Sequence, residues 1–312
     1  MIAVLLGATV LAIMLPAVGE AQDAARTVSN VAIFVLFLIN GMRIERREIG
    51  RGMANWRFFL PLFAWVFGVM PLLGLGMSAI AANVLPPMVA LGFLFCGVLP
   101  STVQSATSYT TLANGNAALS VVGAALLNIA GVFITAPLFA AMGGGGMGAV
   151  GPDAIVRIGL ILILPFVIGQ AVQGRTIGWL QDRRTQVVWL DRTVIGIAVY
   201  VALSGAVEQG LGTHFGPQGW TALTGLVVVF LALATSGAWL AGGLLSFPRA
   251  DRIAFLFAGG QKSIAIGAPL AAILFPSEAA GFVIAPLLLY HLLQLLLAAP
   301  LANRLARDQS LG

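Results

Sequence analysis

A chain of 312 residues with 59% hydrophobic and only 9% charged residues is not composed for water, since soluble domains carry roughly 25% charged residues. Its mean hydropathy of +1.00 points to a membrane, and one cysteine and two histidines exclude an internal disulfide or a zinc cluster. The net charge of +5 arises from arginines in short loops between apolar runs, so it marks membrane orientation and implies no nucleic-acid partner.

Ten apolar runs follow one another at residues 1–18, 28–42, 56–77, 87–112, 117–141, 154–173, 188–207, 219–245, 252–275 and 280–302. None alternates with period two, so the pattern predicts an all-α polytopic membrane protein of ten transmembrane helices, not a β-barrel. The first run lacks a basic leader and matches the sixth, and it is read as a span, not as a signal peptide. The connections near 43–55 and 174–187 are arginine-rich, whereas 78–86, 143–152 and 208–217 hold neither lysine nor arginine. With the N-terminus inside, Arg43, Arg46, Arg47, Arg51, Arg57, Arg175, Arg183, Arg184, Arg192, Arg249, Arg252, Arg304 and Arg307 are cytoplasmic, and only Arg26 and Arg157 are outside. That bias predicts a multi-pass protein of the inner or plasma membrane with both termini in the cytoplasm.

The fourth run is interrupted. Pro100 opens a polar stretch to Thr111, and a proline inside a regular helix costs about 3 kcal/mol. Hydroxyls and amides can cover the backbone groups so freed. Gln104, Ser105 and Thr107 are candidate ligands on that ground, although a lone hydroxyl in a membrane helix ordinarily only bonds a neighbouring helix.

The fifth and tenth runs share a pattern, Ala130–Leu138 with Ala280–Leu287. Leu15–Ala21 and Leu164–Ala171 match at a similar offset, near 150 residues. Two agreeing offsets predict a five-plus-five repeat, residues 1–142 and 154–312, joined by a glycine-rich extracytoplasmic linker at 143–153. An odd number of spans per repeat inverts the second half.

The ninth run holds the sole lysine, Lys262, just after Gly259-Gly260. An ammonium at membrane depth costs about 2.5–3.5 kcal/mol, and Lys262 stands about ten residues from Arg252, too far to snorkel to an interface. The glycines weaken the helix by about 1 kcal/mol each. A second broken helix with a lone charge is therefore expected, with Gln261, Lys262 and Ser263 lining a polar site. Broken helices that meet at mid-membrane present half-helix N-termini to an anion and C-termini to a cation.

Other polar residues in the runs carry less. His291 and Gln294, one turn apart, read as a helix-packing pair, and Cys96 reads as core. His214 has no ligand partner at metal-site spacing. Trp56, Trp179, Trp189 and Trp220 read as interfacial anchors. No nucleophile–base pair, metalloprotease motif or P-loop occurs, so neither an enzyme nor ATP drive is expected, and no cofactor or metal.

Ser105–Asn116 (SATSYTTLANGN) resembles a fourth-helix signature, and residues 258–269 (AGGQKSIAIGAP) resemble a ninth-helix one. Leu164 to Gln170 and His291 to Gln294 also fit. On these residues the chain resembles the bile acid:sodium symporter superfamily, in its SBF-like branch related to solute carrier family 10 member seven. The resemblance implies a core domain around crossed, broken fourth and ninth helices plus a panel domain. It further implies secondary transport of a small, anionic organic solute by alternating access, and it adds Asn116 and Ser120 to the candidate site.

The departures bear on coupling. A glutamate that serves both sodium sites in the sodium-coupled members corresponds to Phe257. The asparagine after the crossover glutamine corresponds to Lys262, a third-helix glutamine to Val66 and a fifth-helix threonine to Ala124. The Ser-Asn ligand pair falls at Ser105 to Thr107. Sodium needs several hard oxygen donors, so Lys262 is expected to replace it, making transport sodium-independent, or proton-linked if Lys262 titrates. A passive facilitator, a regulator of ion homeostasis, and sodium symport through other ligands stay open as alternatives. The expected partners are the solute, the lipid bilayer and, in the proton-linked case, a proton. The oligomeric state is not legible.

Overall fold

The computed structural model describes residues 1–43, 55–144, 156–210 and 216–310. Arg46, Arg47, Arg51, His214 and most of the 143–153 linker lie outside the described residues. The described secondary structure is helical throughout: α1 (Ile2–Met14), α2 (Glu20–Arg43), α3 (Trp56–Ala81), α4 (Pro87–Val98), α5 (Val103–Leu112), α6 (Ala117–Phe139), α7 (Leu164–Asp182), α8 (Arg184–Glu208), α9 (Pro217–Leu244), α10 (Arg249–Gly260), α11 (Ile264–Leu274) and α12 (Ser277–Ser310). Among the described residues eight helical stretches are long and apolar enough to cross a membrane, and α4 with α5, bent by 63°, make a ninth.

Several boundaries differ from the hydropathy reading, two of them for a clear local reason. The first run stops at Met14 because Leu15 precedes Pro16 and takes φ −138°, ψ 66°, as a residue before proline is driven out of the helical region. The remaining 13 residues reach about 20 Å, short of a hydrocarbon core of about 30 Å. The second helix begins eight residues earlier than expected, at Glu20, with Glu20 and Asp23 in its first turn. Carboxylates there suit the helix dipole, but they hide the turn from a hydropathy scan.

Prolines also shape the spans from within. A π-helical turn at Trp65–Val69 precedes Pro71 in α3, and another at Gly159–Ile163 precedes Pro165 at the start of α7. Each proline lacks the N–H that the ladder needs, and a widened turn absorbs the gap.

The helices divide into two compact units, each drawing on both halves of the chain. Unit 1 comprises Met1–Arg46, Ala136–Gly219 and Ala265–Ala285; unit 2 comprises Arg47–Thr135, Trp220–Ile264 and Pro286–Gly312.

In unit 1, α2 and α7 touch backbone to backbone. A Cβ added at Gly41 would overlap the Phe166 carbonyl oxygen, and one at Gly169 would overlap that of Leu38. Gln170 Nε2 donates to Gly41 O at 2.6 Å across the same seam, the small-residue packing that substitutes for a hydrophobic drive inside lipid. Gly169→Val is therefore expected to force the helices apart, at a cost of about 1–3 kcal/mol for overpacking. Thermal unfolding in detergent should show a clearly lowered Tm; an unchanged Tm would mean the seam is slack.

In unit 2, the first turn of α10 is tied on three sides. Arg249 donates to Leu305 O at 3.1 Å, Asp251 accepts from Asn116 Nδ2 at 2.9 Å, and Arg252 Nε donates to Trp239 O at 2.8 Å. Above that base, Phe58, Phe247 and Phe255 stack with centroids 5.5–6.0 Å apart. The base and the aromatic layer fix where the α10 C-terminus points.

Candidate functional site

Two helix ends meet in unit 2. Helix α4 stops at Val98 because Leu99 precedes Pro100 and is extended, at φ −72°, ψ 146°. The chain stays extended through Thr102, and α5 resumes at Val103. Helix α10 runs to Gly260, Gln261 is extended at φ −91°, ψ 148°, and α11 starts at Ile264. The ninth-span break thus falls at Gln261–Ser263, just beyond the glycines expected to form it. Gly259 serves another purpose: a Cβ there would sit 2.8 Å from Trp65 Cδ1, so the glycine lets the indole close on α10.

The two extended strips are bonded to each other. Ser263 N donates to Pro100 O at 3.0 Å, and Thr102 Oγ1 donates to Lys262 O at 2.8 Å. Ser105 Oγ donates to Gln261 Oε1. Gly131 of α6 supports the fourth-span break from behind, where a Cβ would lie 2.6 Å from Pro100 Cγ. Asn128 Nδ2 donates to Ser101 O at 2.8 Å.

Lys262 is 0% exposed. Its Nζ donates to Gly97 O and Leu99 O, each at 2.7 Å. Gly97 O is a last-turn carbonyl of α4, which lacks a helical partner and lies at the negative end of the helix dipole, and Leu99 O belongs to the extended residue just beyond that helix. Among the described residues no carboxylate pairs with this amine, and its side-chain hydrogen bonds go to backbone carbonyls. A hydrogen bond to a charged group contributes about 1.5–3 kcal/mol, and the two together counter part of the cost of burying the amine.

Helix α12 closes the break. Tyr290 Oη donates to Gly260 O at 2.6 Å. Gln294 Oε1 accepts from Lys262 N at 2.8 Å, and Gln294 Nε2 lies 3.1 Å from Lys262 O and 2.8 Å from His291 Nδ1. Gln294, one of the pair read from sequence as packing, therefore binds the Lys262 main chain, with His291 against its amide.

The structure brings Gln261, Lys262, Ser263 and Ser105 together at the meeting of the breaks. Thr107 lies one half-turn beyond Ser105, its Oγ1 buried without a hydrogen-bond partner, as is Ser101 Oγ. Ser120 is buried on α6 and accepts from Thr110 Oγ1 at 3.2 Å, away from the breaks. Asn116 caps α6, its Oδ1 accepting from Leu119 N at 3.2 Å while its amide holds Asp251. Gln104 is exposed and not part of the meeting point. Thr102, Asn128, Tyr290 and Gln294 were not assigned to the site from sequence; the available signal was a polar side chain in an apolar helix within a few residues of a break.

Phe257 is 3% exposed, its ring 5.9 Å from that of Tyr109, so an aromatic pair fills this part of α10, where the resemblance leads one to expect a carboxylate. Val66 and Ala124 are buried. Beside the break, α9, α10 and α12 enclose a pocket of about 190 Å³, apolar except where Thr235, Gln261 and Gln294 reach it. As a whole the site can hold one fixed cation against helix-end carbonyls and offers a few unpaired oxygens nearby.

The comparisons with known proteins agree on one class. The SBF-like CPA transporter family model matches residues 1–307. Uncharacterized protein PA2026 of Pseudomonas aeruginosa is 38% identical over 308 residues, 97% of this chain and 91% of its own. The Escherichia coli (strain K12) protein named "Putative symporter YfeH" is 34% identical over 308 residues, 97% of this chain and 92% of its own. Sodium/bile acid cotransporter 7 of Mus musculus is 21% identical over 285 residues, 88% of this chain and 82% of its own.

Proposed function

The chain belongs to the SBF-like CPA transporter family, and from that membership we propose that it moves a small organic anion by alternating access, with the Lys262 ammonium filling the place of sodium. As a family member it is a multi-pass membrane transporter and not an enzyme. The observation that carries the finer reading is Lys262 Nζ, fully buried on the Gly97 and Leu99 carbonyls with no carboxylate beside it. Helix-end carbonyls in an apolar setting need a cation. A tethered ammonium meets that need without dissociating from the protein, and if it titrates it links transport to a proton. A sodium gradient then has no purchase on the site, and the drive comes from the solute's own gradient or a proton.

The solute class rests on the half-helix N-termini of α5 and α11, which suit a carboxylate, and on the name of the mouse relative. In the same reading the spans form a ten-helix, five-plus-five inverted repeat in the plasma membrane, with α1 as the short tenth span and both termini cytoplasmic. Sodium symport through other ligands draws support from one feature, the unpartnered Ser101 Oγ and Thr107 Oγ1.

A ligand-induced thermal shift across a panel of organic anions tests the proposal, since a ligand that binds only the folded protein raises its Tm. At least one anion is expected to raise the Tm, and by the same amount in sodium and in potassium buffer. A shift that appears only with sodium would favour the second reading.

A further inference from the structure

The Lys262 ammonium reaches α4 from the non-helical break between α10 and α11, and one side chain grips both edges of that residue. Gln294 Oε1 takes the Lys262 N–H at 2.8 Å, and Gln294 Nε2 faces Lys262 O at 3.1 Å. The orientation of the carboxamide is not arbitrary. A backbone N–H can only donate, so the oxygen must face it, and the NH2 group must then face Lys262 O and His291 Nδ1.

At 2.8 Å from a donor, His291 Nδ1 must present its lone pair, which puts the ring proton on Nε2. The 3.3 Å approach of Nδ1 to Lys262 O is then a close contact and not a hydrogen bond. Lys262 O already accepts from Thr102 Oγ1 and Gln294 Nε2, which occupies both of its lone pairs.

We propose that Gln294 is the positioning residue for Lys262, and that His291 fixes the Gln294 carboxamide in the orientation this requires. The inference rests on the reading of Lys262 as a fixed cation. Gln294 is not needed to dock α12 in unit 2. That helix is tied independently by Tyr290 to Gly260 O, by Tyr109 Oη to Leu295 O at 2.9 Å, and by Arg249 to Leu305 O. Removing the amide therefore frees the break without releasing the helix.

Because Lys262 is the sole lysine, acylation by a membrane-permeant amine reagent, read by mass spectrometry on the full-length protein in detergent, reports on it alone. The N-terminal amine serves as the internal control. Wild-type Lys262 is expected to stay unlabelled while the protein is native, and in Gln294→Leu to label at least about tenfold faster, as an amine released from about 1.4 kcal/mol of restraint would. His291→Asn, whose side-chain oxygen can replace the Nδ1 lone pair, should protect like wild type, whereas His291→Leu should label. A packing role predicts the reverse order, because leucine fills apolar space better than asparagine.

Protection of Lys262 in Gln294→Leu equal to wild type would overturn the positioning role and leave the fixed-cation reading intact. Rapid labelling of native wild type would overturn both. Should Gln294→Leu fail to fold, the His291 pair decides: Asn protected and Leu labelled supports the assignment, and any other order refutes it.

Discussion

Lys262→Met is expected to abolish uptake and to leave a folded protein of lower stability. Methionine nearly preserves the volume of the lysine stem and adapts to irregular space, so no large cavity opens. The Gly97 and Leu99 carbonyls, however, lose the Lys262 donor, and each buried, unsatisfied group costs about 1–3 kcal/mol. The breaks stay joined through Ser263 to Pro100, Thr102 to Lys262 O and Tyr290 to Gly260, which is why folding survives. Uptake is expected below about one hundredth of wild type, the rate equivalent of about 2.7 kcal/mol. Cells expressing equal amounts of each protein at the surface give the comparison, and normal flux in the variant would show that the ammonium is dispensable.

The Phe257→Glu/Lys262→Asn double variant is expected to acquire a sodium response, and the wild type to show none. The two substitutions introduce the residue types that the resemblance to sodium-coupled members implies for these positions: a carboxylate on the last turns of α10 and a neutral amide at the break. Phe257 lies one turn before Gln261, whose N–H bonds to Phe257 O at 3.3 Å, so position 257 adjoins the break. Neither single change suffices. Lys262→Asn alone leaves the α4 carbonyls without a counter-charge, and Phe257→Glu alone buries a carboxylate where a ring now packs against Tyr109. In the double variant, sodium at about one hundred times its Kd should add about 2.7 kcal/mol of stability, seen as a rise in Tm with sodium that potassium does not reproduce. A Tm indifferent to sodium in that variant would mean that the correspondence of Phe257 and Lys262 to the sodium ligands is misplaced.

Much of this was legible in the sequence because the bilayer imposes blunt rules. Apolar length announced the spans, and Pro100 and the Gly259-Gly260-Gln261-Lys262 stretch announced the interruptions. Position along the chain was less exact than type. The ninth-span break lies at Gln261–Ser263 because Gly260 still closes the last turn of α10, and α2 starts before its apolar run because Glu20 and Asp23 are good first-turn residues.

The site was legible where a side chain bonds another side chain or carries charge, as for Lys262, Gln261 and Ser105. It was opaque where a side chain bonds the backbone. Thr102, Asn128, Tyr290 and Gln294 hold main-chain groups of the two breaks, and such partners leave no motif beyond a polar residue in apolar surroundings. Gln104 shows the converse error. It adjoins Ser105 in sequence, but neighbouring helical residues point about 100° apart, so Ser105 meets Gln261 while Gln104 faces outward.

The account turns on a protein-borne charge in place of a dissolved one, and equilibrium binding of radioactive sodium to the purified wild-type protein tests that most directly. No saturable sodium binding is predicted, with the Phe257→Glu/Lys262→Asn variant as the positive control. Saturable binding to the wild type, competed by unlabelled sodium and not by potassium, would contradict it.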